Sequence, residues 1–211
     1  MTRGSLTDDI VDRLNQRPDV VILTAWSPQD NEWTDLTVRE FHRAVTGIAK
    51  GLIAQGVQPG DRIALIAETG PEFASLFFGV IYAGAWPVPL PLPTSFGGKD
   101  SYIDQLSVQL KSADPTLLFY PAELAGMADA AAAAAGVGGI DWDSFATRDG
   151  PRAALPKAVP DDIAYLQYSS GSTRFPHGVA VTHRALLNNL AAHAHGMRVN
   201  GTDRCVSWLP W

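Results

Sequence analysis

Arg62-Ile63-Ala64-Leu65-Ile66-Ala67, then Gly70-Pro71, then fourteen residues without a charge from Phe73 to Trp86, is the stretch on which the fold turns. The first six residues read as a strand buried on both faces, because the apolar run leaves no polar side for water. Gly70 precedes a proline suited to the first position of a helix, which is predicted to run to about Ala83. Ala85 to Leu90 then reads as a short strand, and Pro87, Pro89, Pro91 and Pro93 stop the helical pattern. The uncharged run is shorter than the roughly 20 apolar residues of a membrane-spanning helix, so it reads as a buried helix and no membrane span is expected.

Working towards the N-terminus, Gln58-Pro59-Gly60-Asp61 is a turn. Before it, Thr37-Val38-Arg39-Glu40 has the form of a capping box, and Val38, Phe41, Val45, Ile48 and Leu52 follow at helical spacing until Gly56. Met1 to Leu14 carries Asp8, Asp9, Asp12 and Arg13 and lacks the apolar region of a secretory signal.

Towards the C-terminus the alternation repeats. Ser101-Tyr102-Ile103-Asp104 resembles a second capping box, opening a helix to Ser112 or Ala113. Thr116 to Tyr120 is a strand, Ala122 to Ala135 a helix, and Gly138 to Trp142 a candidate strand. Gly150 to Pro160, with three prolines, reads as a surface linker. Ile163 to Tyr168 and Val179 to Thr182 are strands joined by a ten-residue loop, and a helix from Arg184 to His195 follows. Cys205 to Leu209 is predicted to begin another strand, so the chain would stop at Trp211 in mid-element, as a fragment would. Helix and strand in alternation imply a layered α/β fold with a largely parallel sheet.

The 211 residues are 46% hydrophobic and 18% charged, enough for one large domain or two small ones with a real core. A net charge of −6 argues against nucleic acid as a partner. One cysteine, Cys205, excludes an internal disulfide framework and fits a reducing cytoplasm, the expected location. Residues 1–162 hold 12 Lys and Arg against 21 Asp and Glu, whereas residues 163–211 hold four arginines against Asp203 alone. Chance in a short window and a last quarter facing a small anion both account for that asymmetry.

Tyr168-Ser169-Ser170-Gly171-Ser172-Thr173-Arg174-Phe175-Pro176-His177-Gly178 carries the chemical information. Five small residues in a row, four with hydroxyls, follow an apolar strand. N–H groups and hydroxyls in such a loop can wrap an oxyanion, glycine allows close approach, and Arg174 supplies countercharge. No Gly-Lys-Ser/Thr follows and the next element is a strand, so it is not a Walker loop; nor is there a Gly-x-Gly-x-x-Gly fingerprint. A solvated Ser/Gly hairpin has the same composition.

The flanks add to this. From Ile163-Ala164-Tyr165-Leu166-Gln167-Tyr168 through the loop to Val179-Ala180-Val181-Thr182-His183, the sequence closely resembles the phosphate-loop motif of the adenylate-forming superfamily. That superfamily comprises acyl-CoA synthetases, peptide-synthetase adenylation domains and luciferases. Arg174 stands at the family's glycine position and His177 at its lysine position. Leu-Gln-Tyr before Ser-Gly-Ser-Thr-Arg looks most like the fatty acyl-AMP ligase branch. The resemblance extends to Gly60-Asp61-Arg62-Ile63-Ala64-Leu65, to Gly79 through Pro91, and to Ser207-Trp208-Leu209-Pro210.

The resemblance implies the N-terminal part, 1–211, of a large AMP-binding domain whose C-terminal part and small domain are absent. The implied reaction converts a fatty acid and ATP to an acyl-adenylate and passes the acyl group to a phosphopantetheine carrier protein or a polyketide or peptide synthase carrier domain. Ser169, Ser170, Gly171, Ser172, Thr173 and Arg174 would hold the β- and γ-phosphates, with His177 and Gly178 as loop support. Adenine and Mg²⁺ ligands, and the lysine that assists adenylation, would lie beyond Trp211, leaving no catalytic or metal residue here and a fragment inactive alone. An acyl-CoA synthetase, a peptide-synthetase adenylation domain and a non-catalytic module retaining the loop are the alternatives.

The remaining candidates read as structural. His193 and His195, two apart on a helix, point to different faces and make a poor metal pair. His183 reads as a capping or first-turn residue, and Leu186, Leu187, Leu190 and Ala194 as its helix's core stripe. Asp141-Trp142-Asp143 reads as a solvated pair of carboxylates, Trp26 and Trp33 as packing residues, His42 as surface and Cys205 as a buried inert thiol.

Overall fold

The computed structural model describes residues 4–27, 31–93, 98–146, 154–168 and 178–207. Helix α1 (Leu6–Gln16) leads into an antiparallel hairpin of β1 (Val21–Ser27) and β2 (Glu32–Thr37). Helix α2 (Val38–Ala54) starts on the expected capping box: Thr37 Oγ1 accepts the Glu40 N–H and the Glu40 carboxylate accepts the Thr37 N–H. Then come β3 (Arg62–Ile66), α3 (Pro71–Tyr82), β4 (Trp86–Leu90), α4 (Lys99–Ala113), β5 (Leu117–Tyr120), α5 (Ala125–Ala135), β6 (Gly138–Asp141) and the short α6 (Trp142–Ala146).

The four strands β3 to β6 form a parallel sheet in the order β4-β3-β5-β6, with Ile63 beside Pro87 and Leu117, and Leu117 beside Gly138. The period-two pleat sends β3 side chains to both faces. Ile63, Leu65 and Phe119 pack under α2, α3 and α6 in one core; Ala64, Ile66, Val88 and Leu118 pack under α4 and α5 in another. Helices α2 and α3 cross closely at Gly79, where an added Cβ would stand 2.5 Å from Ile48 Cγ2.

Beyond the sheet, β7 (Ile163–Tyr168) and β8 (Gly178–Thr182) form a second antiparallel hairpin, with β7 alongside β4. Helix α7 (His183–Gly196) closes the order of elements. The layered α/β architecture is as expected. The first 36 residues gave no element from pattern alone, and they form α1 and the β1–β2 hairpin.

Several local expectations are corrected. Helix α4 begins two residues before Ser101, on Gly98, so Ser101 lies inside its first turn and makes no cap. Trp26 and Trp33 are 44% and 68% exposed; they meet edge-to-face at 5.4 Å as a cross-strand pair on the hairpin, away from the core. His42 is half-buried and packs edge-to-face with Tyr82 at 5.9 Å, instead of lying on the surface. Of the stripe on α7 only Leu187 is buried; Leu190 is 49% exposed because α7 packs by its first turns alone. Cys205 is exposed and residues 205–207 form no strand, so the thiol has no burial to make it inert. Of the segment read as a surface linker, residues 154–160 are exposed or half-buried, and Leu155 packs against the first core.

Candidate functional site

The hairpin β7–β8 carries the loop. Tyr168 and Gly178 are cross-strand partners, so the chain leaves and returns at neighbouring positions. Ser169, Ser170, Gly171, Ser172, Thr173, Arg174 and His177 lie outside the described residues, and Gly178 is the one predicted site residue inside them. A Cβ on Gly178 would stand 3.2 Å from the Tyr168 ring, so glycine here makes room for the aromatic ring across the ladder. The Tyr168 hydroxyl donates to Ser112 Oγ at 3.2 Å, which fastens the strand end to the last turn of α4.

Around these anchors is a polar cleft of about 330 Å³ lined by Arg62, Trp86, Ser112, Leu166, Tyr168 and Gly178. Arg62 and Trp86 are the first residues of β3 and β4, so the loop stems stand at the amino-terminal edge of the parallel sheet. Ligands of open α/β sheets usually sit at the opposite, carboxyl edge. Arg62 is engaged: its Nε donates to the Asp114 carbonyl at 2.9 Å and its Nη2 to Asp114 Oδ2 at 2.8 Å. These cleft residues come from five separate elements, and no local pattern brings Arg62, Trp86 and Ser112 together with the loop stems.

The far end of the hairpin is clamped. Arg184 donates through Nε and Nη2 to the two Asp161 oxygens at 2.7 and 2.8 Å, and that bond holds the Asp161 carboxyl below its usual value. The Arg184 and His183 N–H groups donate to the Pro160 and Asp162 carbonyls. Thr182 caps α7 by accepting the Ala185 N–H, so His183 is the first helical residue, as expected, yet it is buried. Burial lowers the His183 pKa, against the upward pull of Asp162 and Asp8.

The other candidates are placed as follows. His193 and His195 are exposed, and among the described residues no three His, Cys, Asp or Glu side chains group as a metal site. Asp141 is half-buried and its carboxylate accepts the Asp143 N–H and the Ser144 hydroxyl, capping α6. No helix of the described residues is long and apolar enough to cross a membrane.

The fold and the loop stems belong to a defined class, the adenylate-forming domains. The chain belongs to the family of AMP-binding enzymes, whose profile matches residues 10–211. A Caulobacter vibrioides protein named "Putative acyl-CoA synthetase" is 42% identical over 164 residues, 77% of this chain and 28% of that protein. The long-chain-fatty-acid–AMP ligase FadD32 of Mycolicibacterium smegmatis is 33% identical over 202 residues, 87% of this chain and 28% of its own. A solved structure from a study of fatty acyl-adenylate ligases of E. coli and L. pneumophila superposes with a TM-score of 0.84 at 34% identity, covering 99% of this chain and 37% of that one. The chain thus spans about a third of the length of the proteins it matches, in their N-terminal part. The likeness to fatty acyl-AMP ligases read from the loop is met by these relatives.

Proposed function

We propose that the protein takes part in activating a fatty acid with ATP. A carboxylate oxygen forms a bond to the α-phosphorus, the bond to the bridging oxygen breaks, and pyrophosphate leaves with the electron pair. The acyl-adenylate then yields its acyl group to the thiol of a phosphopantetheine carrier, and AMP leaves. Residues 1–211 correspond in this reading to the N-terminal part of the AMP-binding domain.

One observation carries the proposal: in a chain of the AMP-binding family, the sequence between the paired strand ends Tyr168 and Gly178 contains the hydroxyl-rich run Ser169 to Thr173, with Arg174. Phosphoryl chemistry of this kind depends on holding the polyphosphate in line and matching its charge. Ser169, Ser170, Gly171, Ser172, Thr173 and Arg174 hold the β- and γ-phosphates through N–H, hydroxyl and guanidinium donors. Gly178 supports them by letting the Tyr168 ring close the stem. Mg²⁺, when bound with ATP, would neutralise phosphate charge, with its ligands expected beyond Trp211. A cytoplasmic site of action suits a chain with one exposed thiol and no disulfide.

A second reading, transfer to coenzyme A, is favoured by the 42% identity to the Caulobacter vibrioides protein. Supplying the protein, extended to its relatives' length, with ATP, a fatty acid and either coenzyme A or a phosphopantetheinylated carrier separates the two. The expected product is acyl-carrier thioester with little acyl-CoA; abundant acyl-CoA selects the second reading.

A further inference from the structure

His183 opens α7, an exposed position on most surface helices, yet it is only 2% exposed. Its Nδ1 accepts the N–H of Leu6 at 3.2 Å across 177 positions of sequence. Leu6 is the first residue of α1, and first-turn N–H groups have no partner within their own helix. Ser5 Oγ takes the N–H of Asp8, and the His183 imidazole takes that of Leu6. Leu6 and Leu187, one turn on from the imidazole, pack with Ile81 of α3 in a small buried cluster. The backbone N–H of His183 donates to the Asp162 carbonyl at 3.1 Å, so the residue is fastened to the base of the hairpin that carries the loop.

An imidazole nitrogen accepts a hydrogen bond only while it carries no proton; in the charged form both nitrogens are donors. A protonated His183 would set donor against donor beside that cluster. We propose that His183 is a neutral-imidazole latch that holds α1 on the base of the β7–β8 hairpin, and that protonation releases α1. The proposal rests on this geometry and is independent of the adenylation reading.

Burial lowers the His183 pKa, while Asp8 of α1 and Asp162 ahead of β7 raise it; Lys157 in turn lowers the pKa of Asp8, and Asp8 raises that of Tyr82. A folded-state value below the unfolded one means the latch contributes fully above about pH 6.5 and is lost as pH falls through the folded value.

Hydrogen exchange of the 1–211 protein from about pH 8 to about pH 5, corrected for intrinsic rates, tests this. Protection of the α1 amides should fall about tenfold relative to those of β3 and β5. His183→Gln keeps an acceptor and should hold that ratio flat with pH, whereas His183→Leu should show the low ratio throughout. His42, also lowered by burial, is present in all three proteins and cancels in the comparison. Wild-type α1 protection that tracks β3 at every pH, or an equal fall in His183→Gln, overturns the latch. If the variants do not fold, imidazole ¹⁵N shifts of the wild type decide: an Nδ1 protonated at about pH 8 refutes it.

Discussion

Arg174 is the one cation in the hydroxyl-rich run, and its charge has no role in a solvated hairpin. A charge-assisted hydrogen bond to phosphate contributes about 1.5–3 kcal/mol, or roughly ten- to a hundredfold in affinity. Arg174→Ala in the protein extended to its relatives' length should therefore raise the KM for ATP by that factor and leave the fatty-acid dependence unchanged. Gly171→Val, which on the proposed reading places a branched side chain where the phosphate would approach, should lower the rate of ATP–pyrophosphate exchange. Wild-type exchange by both folded variants across ATP concentrations would falsify the phosphate-loop reading. His177 at the family's lysine position is a weaker matter, since an imidazole near half-titration replaces a permanent charge.

The capping box of α2 and the α2–α3 crossing are where local sequence and packing meet. Thr37 and Glu40 satisfy each other's backbone N–H groups, at 3.0 and 3.2 Å. Thr37→Ala should cost about 1 kcal/mol in urea denaturation. The hydrogen bonds from Thr37 hold the Glu40 carboxyl below its usual value, so the box contributes above about pH 4.5 and fades as pH falls further. The stability gap between wild type and Thr37→Ala should narrow in acid; a constant gap would count against the reciprocal bond. At the crossing, a Cβ on Gly79 has no room beside Ile48. Gly79→Val should destabilise by about 1–3 kcal/mol, read as a lower denaturation midpoint with an unchanged slope, and a neutral result would mean that the helices can part.

Taken entire, residues 1–211 hold a parallel sheet, two helix layers and a loop-bearing hairpin, yet span about a third of the length of their relatives. The loop stems stand at the amino-terminal edge of that sheet, and the cleft beside them offers Arg62 already bound to Asp114. On the proposed function, such a site would hold one end of a substrate without the partners that the chemistry needs. Residues 1–211 alone should give only background ATP–pyrophosphate exchange, while the extended protein is active; exchange by 1–211 above background would refute this.

What the sequence determined by itself was whatever depends on neighbours in the chain. Arg62 to Ala67 could be read as a doubly buried strand, and Thr37 to Glu40 as a capping box, because periodicity and caps are local. The hydroxyl run at 169–173 was legible for the same reason, as a chemical pattern with strands on both sides. Tertiary structure decided the rest. Trp26 and Trp33 look like core residues by type, and only the hairpin puts them on an exposed face. Cys205 lies in an apolar run but finds no strand to pair with among the described residues. His183 is an ordinary first-turn residue until α1 arrives from the far end of the chain, when its Nδ1 becomes the acceptor for Leu6. Burial and hydrogen-bond partners at long sequence separation come from the order of the strands and the docking of helices, and no local pattern encodes them.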